Sequence, residues 1–121
     1  MFTSIRKKFI YTGQGLFRLE IDFFLEGTLA SPKRRSDWEE AVRFAVDKGH
    51  EFFDDVLFRL SRSGYPYAEL YKDDEGYMDC MCVLPGKWDR VQLSVKGNLH
   101  QGGTDGIKEE LEHMNTTYEE I

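Results

Sequence analysis

The sequence predicts an α+β fold: a mostly antiparallel sheet of about five strands in the order ββαβββα, with a long helix and a C-terminal helix packed on one face. Three observations carry this reading. Residues 16–26 alternate, with Phe17, Leu19, Ile21, Phe23 and Leu25 on one side and Arg18, Glu20, Asp22 and Glu26 on the other, only Phe24 breaking the polar side, which is the period of a half-buried strand. From 36 to 62 the apolar residues instead recur at three- and four-residue steps, which is the period of a helix. Shorter alternating runs follow, separated by glycine, proline and aspartate clusters. At 121 residues the whole chain, 1–121, is expected to form a single α+β domain.

The elements follow in order. Ile5 to Tyr11 reads as a first strand, and Thr12-Gly13-Gln14-Gly15 supplies the glycines of a tight reversal into the second. Gly27 to Pro32 closes that hairpin at its far end. Ser36-Asp37-Trp38-Glu39 fits a capping box at the start of the long helix. Its stripe runs through Trp38, Ala41/Val42, Ala45/Val46, Phe52/Phe53, Val56/Leu57 and Leu60. Gly49 falls on the stripe, where it either admits a strand closely or kinks the helix. Gly64 and Pro66 end it. Tyr65 to Lys72 and Tyr77 to Leu84 are expected as a hairpin turning at Asp73-Asp74-Glu75-Gly76. Pro85-Gly86-Lys87 makes the next reversal, Trp88 to Lys96 forms a further strand, and Gly97 to Gly103 forms a link. Ile107, Leu111, Met114, Tyr118 and Ile121 recur at helical steps, which predicts a final helix reaching the last residue.

Composition excludes whole classes of function. Charged residues make up 31 % and hydrophobic ones 40 %, which argues against disorder. No apolar run approaches the roughly 20 residues of a membrane span, and no secretory signal is visible, so the reading is cytoplasmic, with no membrane partner. The formal charge of −6 is polarised: residues 1–35 carry +4, residues 36–104 carry −5, and residues 105–121 carry another −5. That sign is opposite to a nucleic-acid binder's, so nucleic acid is an unlikely partner. Arg6-Lys7-Lys8 and Lys33-Arg34-Arg35 keep a phosphate-binding patch as a minor reading.

Catalytic signatures are sparse. No P-loop, dinucleotide fingerprint, His-Glu-x-x-His or Gly-x-Ser-x-Gly occurs. Cys80 and Cys82, two apart in a strand beside Met78 and Leu84, read as packing thiols; a zinc site would want further soft ligands, so no metal and no cofactor is expected. His50 and Asp54 stand one turn apart on the long helix, close to Glu51 and Asp55, and read either as a general-base or metal pair or as a solvated polar face. His100 lies in the glycine-rich link, and His113 on the acidic last helix. Asn115-Thr116-Thr117 fits a glycosylation acceptor that is incidental without a secretory signal.

What remains is surface. Tyr65, Tyr67 and Tyr71 share one strand face with Glu69, and Asp73, Asp74 and Glu75 sit at the expected hairpin tip. Rigid aromatic area with a charged rim suits protein binding. The expected partner-binding set is Tyr67, Glu69, Tyr71, Asp73, Asp74 and Glu75, with Glu109, Glu110 and Glu112 on the last helix. The expected function is non-enzymatic neutralisation of a basic protein partner. In general character this is similar to the immunity proteins that bacteria use against nuclease toxins, an analogy of type carried by acidity and size. A phage-encoded inhibitor is a variant of the same idea. The alternatives are a small enzyme or ligand-binding domain with a pocket between sheet and helices using His50, Asp54 and His100, and a homodimer through a sheet edge at Ile5 to Tyr11.

Overall fold

The computed structural model describes residues 4–24, 35–62, 68–70, 80–82, 90–99 and 105–121. Its elements are β1 (Ser4–Gly13), β2 (Leu16–Phe24), α1 (Arg35–Arg62), β3 (Ala68–Leu70), β4 (Cys80–Cys82), β5 (Arg90–Leu99), α2 (Asp105–His113) and β6 (Thr116–Glu120). The α+β class is as expected, but the order is ββαβββαβ. The sheet runs β3-β5-β2-β1-β6, with β4 also on β5, and is mixed because β6 lies parallel to β1.

The first hairpin follows its sequence closely. Gly13, Gln14 and Gly15 all have positive φ (104°, 57° and 83°), which two glycines reach without a Cβ penalty. Tyr11 pairs with Phe17 and Gly13 with Leu16, so Thr12 is an extra residue and bulges the strand. The Thr12 hydroxyl donates to the Leu16 carbonyl at 3.1 Å, and the Leu99 amide donates to the Gly15 carbonyl at 2.7 Å. The turn is thereby tied to β5.

Register aligns one apolar row across the sheet. Phe9, Leu19 and Val95 lie side by side, as do Ile21 and Leu93, and Phe23 and Val91. Helix α1 lays Ala45, Phe52, Phe53, Val56 and Leu60 on this row, and α2 adds Ile107, Leu111 and Met114 to the same core. Both helices thus share one face. Gly49 resolves its two readings: α1 is continuous through it, and an added Cβ would stand 2.9 Å from Leu93 Cδ2, so glycine sets the approach of helix to sheet. Phe9 stacks between Phe17 (4.6 Å between ring centroids) and Tyr118 (5.8 Å). The opposite row carries Arg18 against Glu20 at 2.8 Å and Lys8 against Glu119 at 3.5 Å.

Several expectations are corrected. The last helix stops at His113. Asn115 takes a left-handed conformation (φ 53°), and the Met114 and Asn115 amides close the helix end onto the Leu111 and Glu112 carbonyls. Thr116, Thr117 and Tyr118 then favour a strand. Tyr118 fits a helical step from Met114 and a strand alternation from Thr116 equally well, which is why the period misled. Strand β1 is no edge, since β2 and β6 flank it; among the described residues the free edge there is β6, whose Glu119 and Glu120 discourage strand pairing between copies. Strand β5 runs to Leu99 because Gly97 and Leu99 pair with Leu70 and Ala68, so the expected link begins later than Gly97.

The second hairpin is also revised. Strands β3 and β4 are both antiparallel to β5, β3 beside Gly97–Leu99 and β4 beside Gln92–Ser94, so they follow one another along one edge and do not pair together. The ten-residue length of β5 has room for both. Cys80 aligns with Ser94 and Cys82 with Gln92, the polar row of β5 and not its apolar row. Helix α1 begins at Arg35, which puts Ser36 inside the first turn rather than at the cap.

Candidate functional site

A groove opens on the helix-bearing face because two helices do not cover the whole apolar row. Helix α1 lies over β2, β3 and β5, and α2 lies beside β6, which leaves the first half of β1 between them. Ile5, Lys7, Ile21 and Phe23 form the floor; Lys48, Glu51, Phe52, Asp55 and Arg59 form the α1 wall; His113, Met114 and Asn115 close the end at the α2 terminus. The volume is about 690 Å³. Strand β6 begins its pairing at Lys7, so Ser4, Ile5 and Arg6 extend past it, and Ile5 remains 49 % exposed.

Most of the groove's charge is neutralised internally. Lys48 Nζ lies 3.3 Å from Glu51, and Arg59 bridges Asp55 at 3.4 Å and Glu110 of α2 at 3.6 Å. The Arg59–Glu110 contact links the two helices across the rim. Lys7 differs: its ammonium sits 5.7 Å from the centroid of the Phe52 ring, and among the described residues no carboxylate lies within ion-pair distance. Its position is the anomaly. On β1 the inward row reads Ile5, Lys7, Phe9, Tyr11, and Lys7 stands opposite Ile21.

The second surface is the acidic α2–β6 unit. Glu109 and Glu112 are exposed one turn apart, whereas Glu110 is half-buried and committed to Arg59. Lys108 is drawn over the Tyr118 ring at 4.9 Å, and the Tyr118 hydroxyl donates to Glu120 at 2.7 Å. The unit's one lysine therefore covers β6 rather than pairing with Glu109 or Glu112.

No protein-family model, curated protein or solved structure matches the chain.

The predicted site residues are distributed as follows. Glu109, Glu110 and Glu112 lie together on α2. Glu69 is in β3, opposite Asn98. Tyr67, Tyr71, Asp73, Asp74, Glu75 and His100 lie outside the described residues. A cavity between sheet and helix exists, as the ligand-binding alternative expects, but its described lining includes neither His50 nor Asp54; His50 is half-buried and Asp54 exposed elsewhere on α1. Among the described residues no group of three or more His, Cys, Asp and Glu side chains could hold a metal ion, and no helix is long and apolar enough to cross a membrane. Sequence reasoning missed Lys7 as a groove residue. The signal was present: a lysine between Ile5 and Phe9 interrupts an apolar row.

Proposed function

We propose that the protein is a non-enzymatic binding protein that engages a basic protein partner through its acidic C-terminal unit. The supporting observation is the disposition of Glu109 and Glu112: both are solvent-exposed on one turn of α2, while the neighbouring Glu110 and Lys108 are occupied by Arg59 and Tyr118. Carboxylates held on a packed helix and not paired among the described residues attract a basic surface and speed its association. The narrower form of the proposal is an immunity-type inhibitor of a bacterial nuclease-like toxin, whose nucleic-acid-binding surface carries the complementary charge.

The test is affinity capture from the native host with the tagged chain, followed by mass spectrometry and a nuclease assay of the captured protein. A basic protein whose nuclease activity falls on adding one equivalent of the chain is the expected result. The Glu109→Lys/Glu112→Lys double variant should associate about tenfold or more slowly at low salt, with the difference shrinking as salt rises. Capture of no basic protein, or an association rate unchanged by the double variant, overturns the assignment to this surface.

A further inference from the structure

The groove carries a separate inference, independent of the acidic unit. We propose that it is a binding site for an amphipathic organic anion, in its simplest form a carboxylate on an acyl chain, with Lys7 as the charged anchor.

Lys7 carries the argument. A lysine on the inward row of a sheet, flanked by Ile5 and Phe9 and opposite Ile21, interrupts a surface that would otherwise be apolar. Long cationic side chains in such places lay their methylenes on apolar neighbours and keep the head wet. The ammonium of Lys7 does so over the Phe52 ring, inside the groove and without a carboxylate among the described residues. The other two cations have theirs: Lys48 has Glu51, and Arg59 has Asp55 and Glu110. Among the described residues the groove's lining thus carries three Lys and Arg residues against two acids, in a chain whose total is −6. An incoming anion finds one cation available, whereas an incoming cation finds both lining carboxylates already paired.

The remaining surface selects the rest of the ligand. Ile5, Ile21, Phe23, Phe52 and Met114 offer an apolar wall that a bare inorganic anion would leave unused. A volume of about 690 Å³ lies within the range of small-molecule sites. Ile5 lines the groove and is 49 % exposed, so an acyl chain can lie on it with its head at Lys7.

The experiment uses three probes of equal chain length, each below its micelle-forming concentration: decanoate, decanol and decyltrimethylammonium. Binding is followed by calorimetry and by amide chemical shifts. Decanoate should bind one-to-one, shift Lys7, Phe52 and Met114, and bind about tenfold or more tightly than either other probe, the discrimination expected of a charge-assisted contact. Lys7→Met should reduce decanoate to the affinity of decanol while leaving decanol unchanged, and Lys7→Arg should restore the preference. Equal binding of the three probes, shifts confined to other surfaces, or no decanoate binding overturns the proposal. The probe comparison needs only the unaltered protein, so it decides the matter even if a Lys7 variant folds poorly.

Discussion

Gly15 shows how one missing Cβ can hold two parts of a sheet together. Its φ of 83° is left-handed, and a Cβ there would stand 2.5 Å from the Leu99 carbonyl oxygen, which belongs to β5 and not to the hairpin itself. Gly13 has a left-handed φ of 104°, but among the described residues nothing lies within 4 Å of where its Cβ would stand. The two glycines therefore separate conformation from contact. Gly13→Ala should cost about 1–2 kcal/mol, the conformational penalty alone. Gly15→Ala adds a backbone clash and should cost about 2–4 kcal/mol. Urea denaturation of the two variants measures the difference, and equal losses would show that the contact with Leu99 contributes nothing. At the same scale, Lys7 places a cation on an otherwise apolar row and gives the groove its charged anchor.

At the scale of elements, β6 ties together much of what the sequence did not reveal. Its Tyr118 stacks on Phe9, receives Lys108 over its ring and donates to Glu120. Tyr118→Ala should destabilise the fold by about 2–3 kcal/mol, less than a fully buried aromatic because the ring is half-buried. The pairing of β6 with β1 joins residues more than a hundred positions apart, so its loop-closure cost favours late formation. The loss should accordingly appear as faster unfolding with little change in the folding rate; a slowed folding limb would place β6 in the nucleus. Strand β2 and helix α1 were legible because each sustains one period over many residues, with Phe24 and Gly49 as single exceptions. Strand β6 was not, because five residues are too few to distinguish a period of two from one of 3.6 when Met114 and Tyr118 satisfy both. The pairing of β3 and β4 with β5 was hidden for a different reason: local turn residues favour a hairpin, and only the unused edge of β5 selects the other arrangement. Of the site residues, the glutamates of α2 were readable from composition, whereas the groove depends on what two helices leave uncovered.

At the scale of the whole molecule the basic first strand and the acidic C-terminal unit are neighbours: β6 pairs with β1, and Lys8 lies 3.5 Å from Glu119. The groove lies under α1, beside the first strand of the basic N-terminal third, and the acidic surface lies on α2 and β6. Arg59 and Glu110 form the seam between them. The parallel contact of β1 and β6 also fixes how the molecule meets mechanical load. Both strands run the same way, from Ser4 on one and Thr116 on the other, and the Ile121 amide donates to the Tyr11 carbonyl at 3.0 Å at the far end. Tension applied between Ser4 and Ile121 therefore acts along the strands and loads their hydrogen bonds together, in shear. Tension between Gln14 and Ile121 pulls from the same end of the pair and opens the bonds one after another. Optical-trap measurements should find a distinctly higher rupture force for the first attachment than for the second, and equal forces would mean that another part of the sheet yields first. A short strand at the edge of the sheet thus makes the fold resist force strongly in one direction and weakly in another.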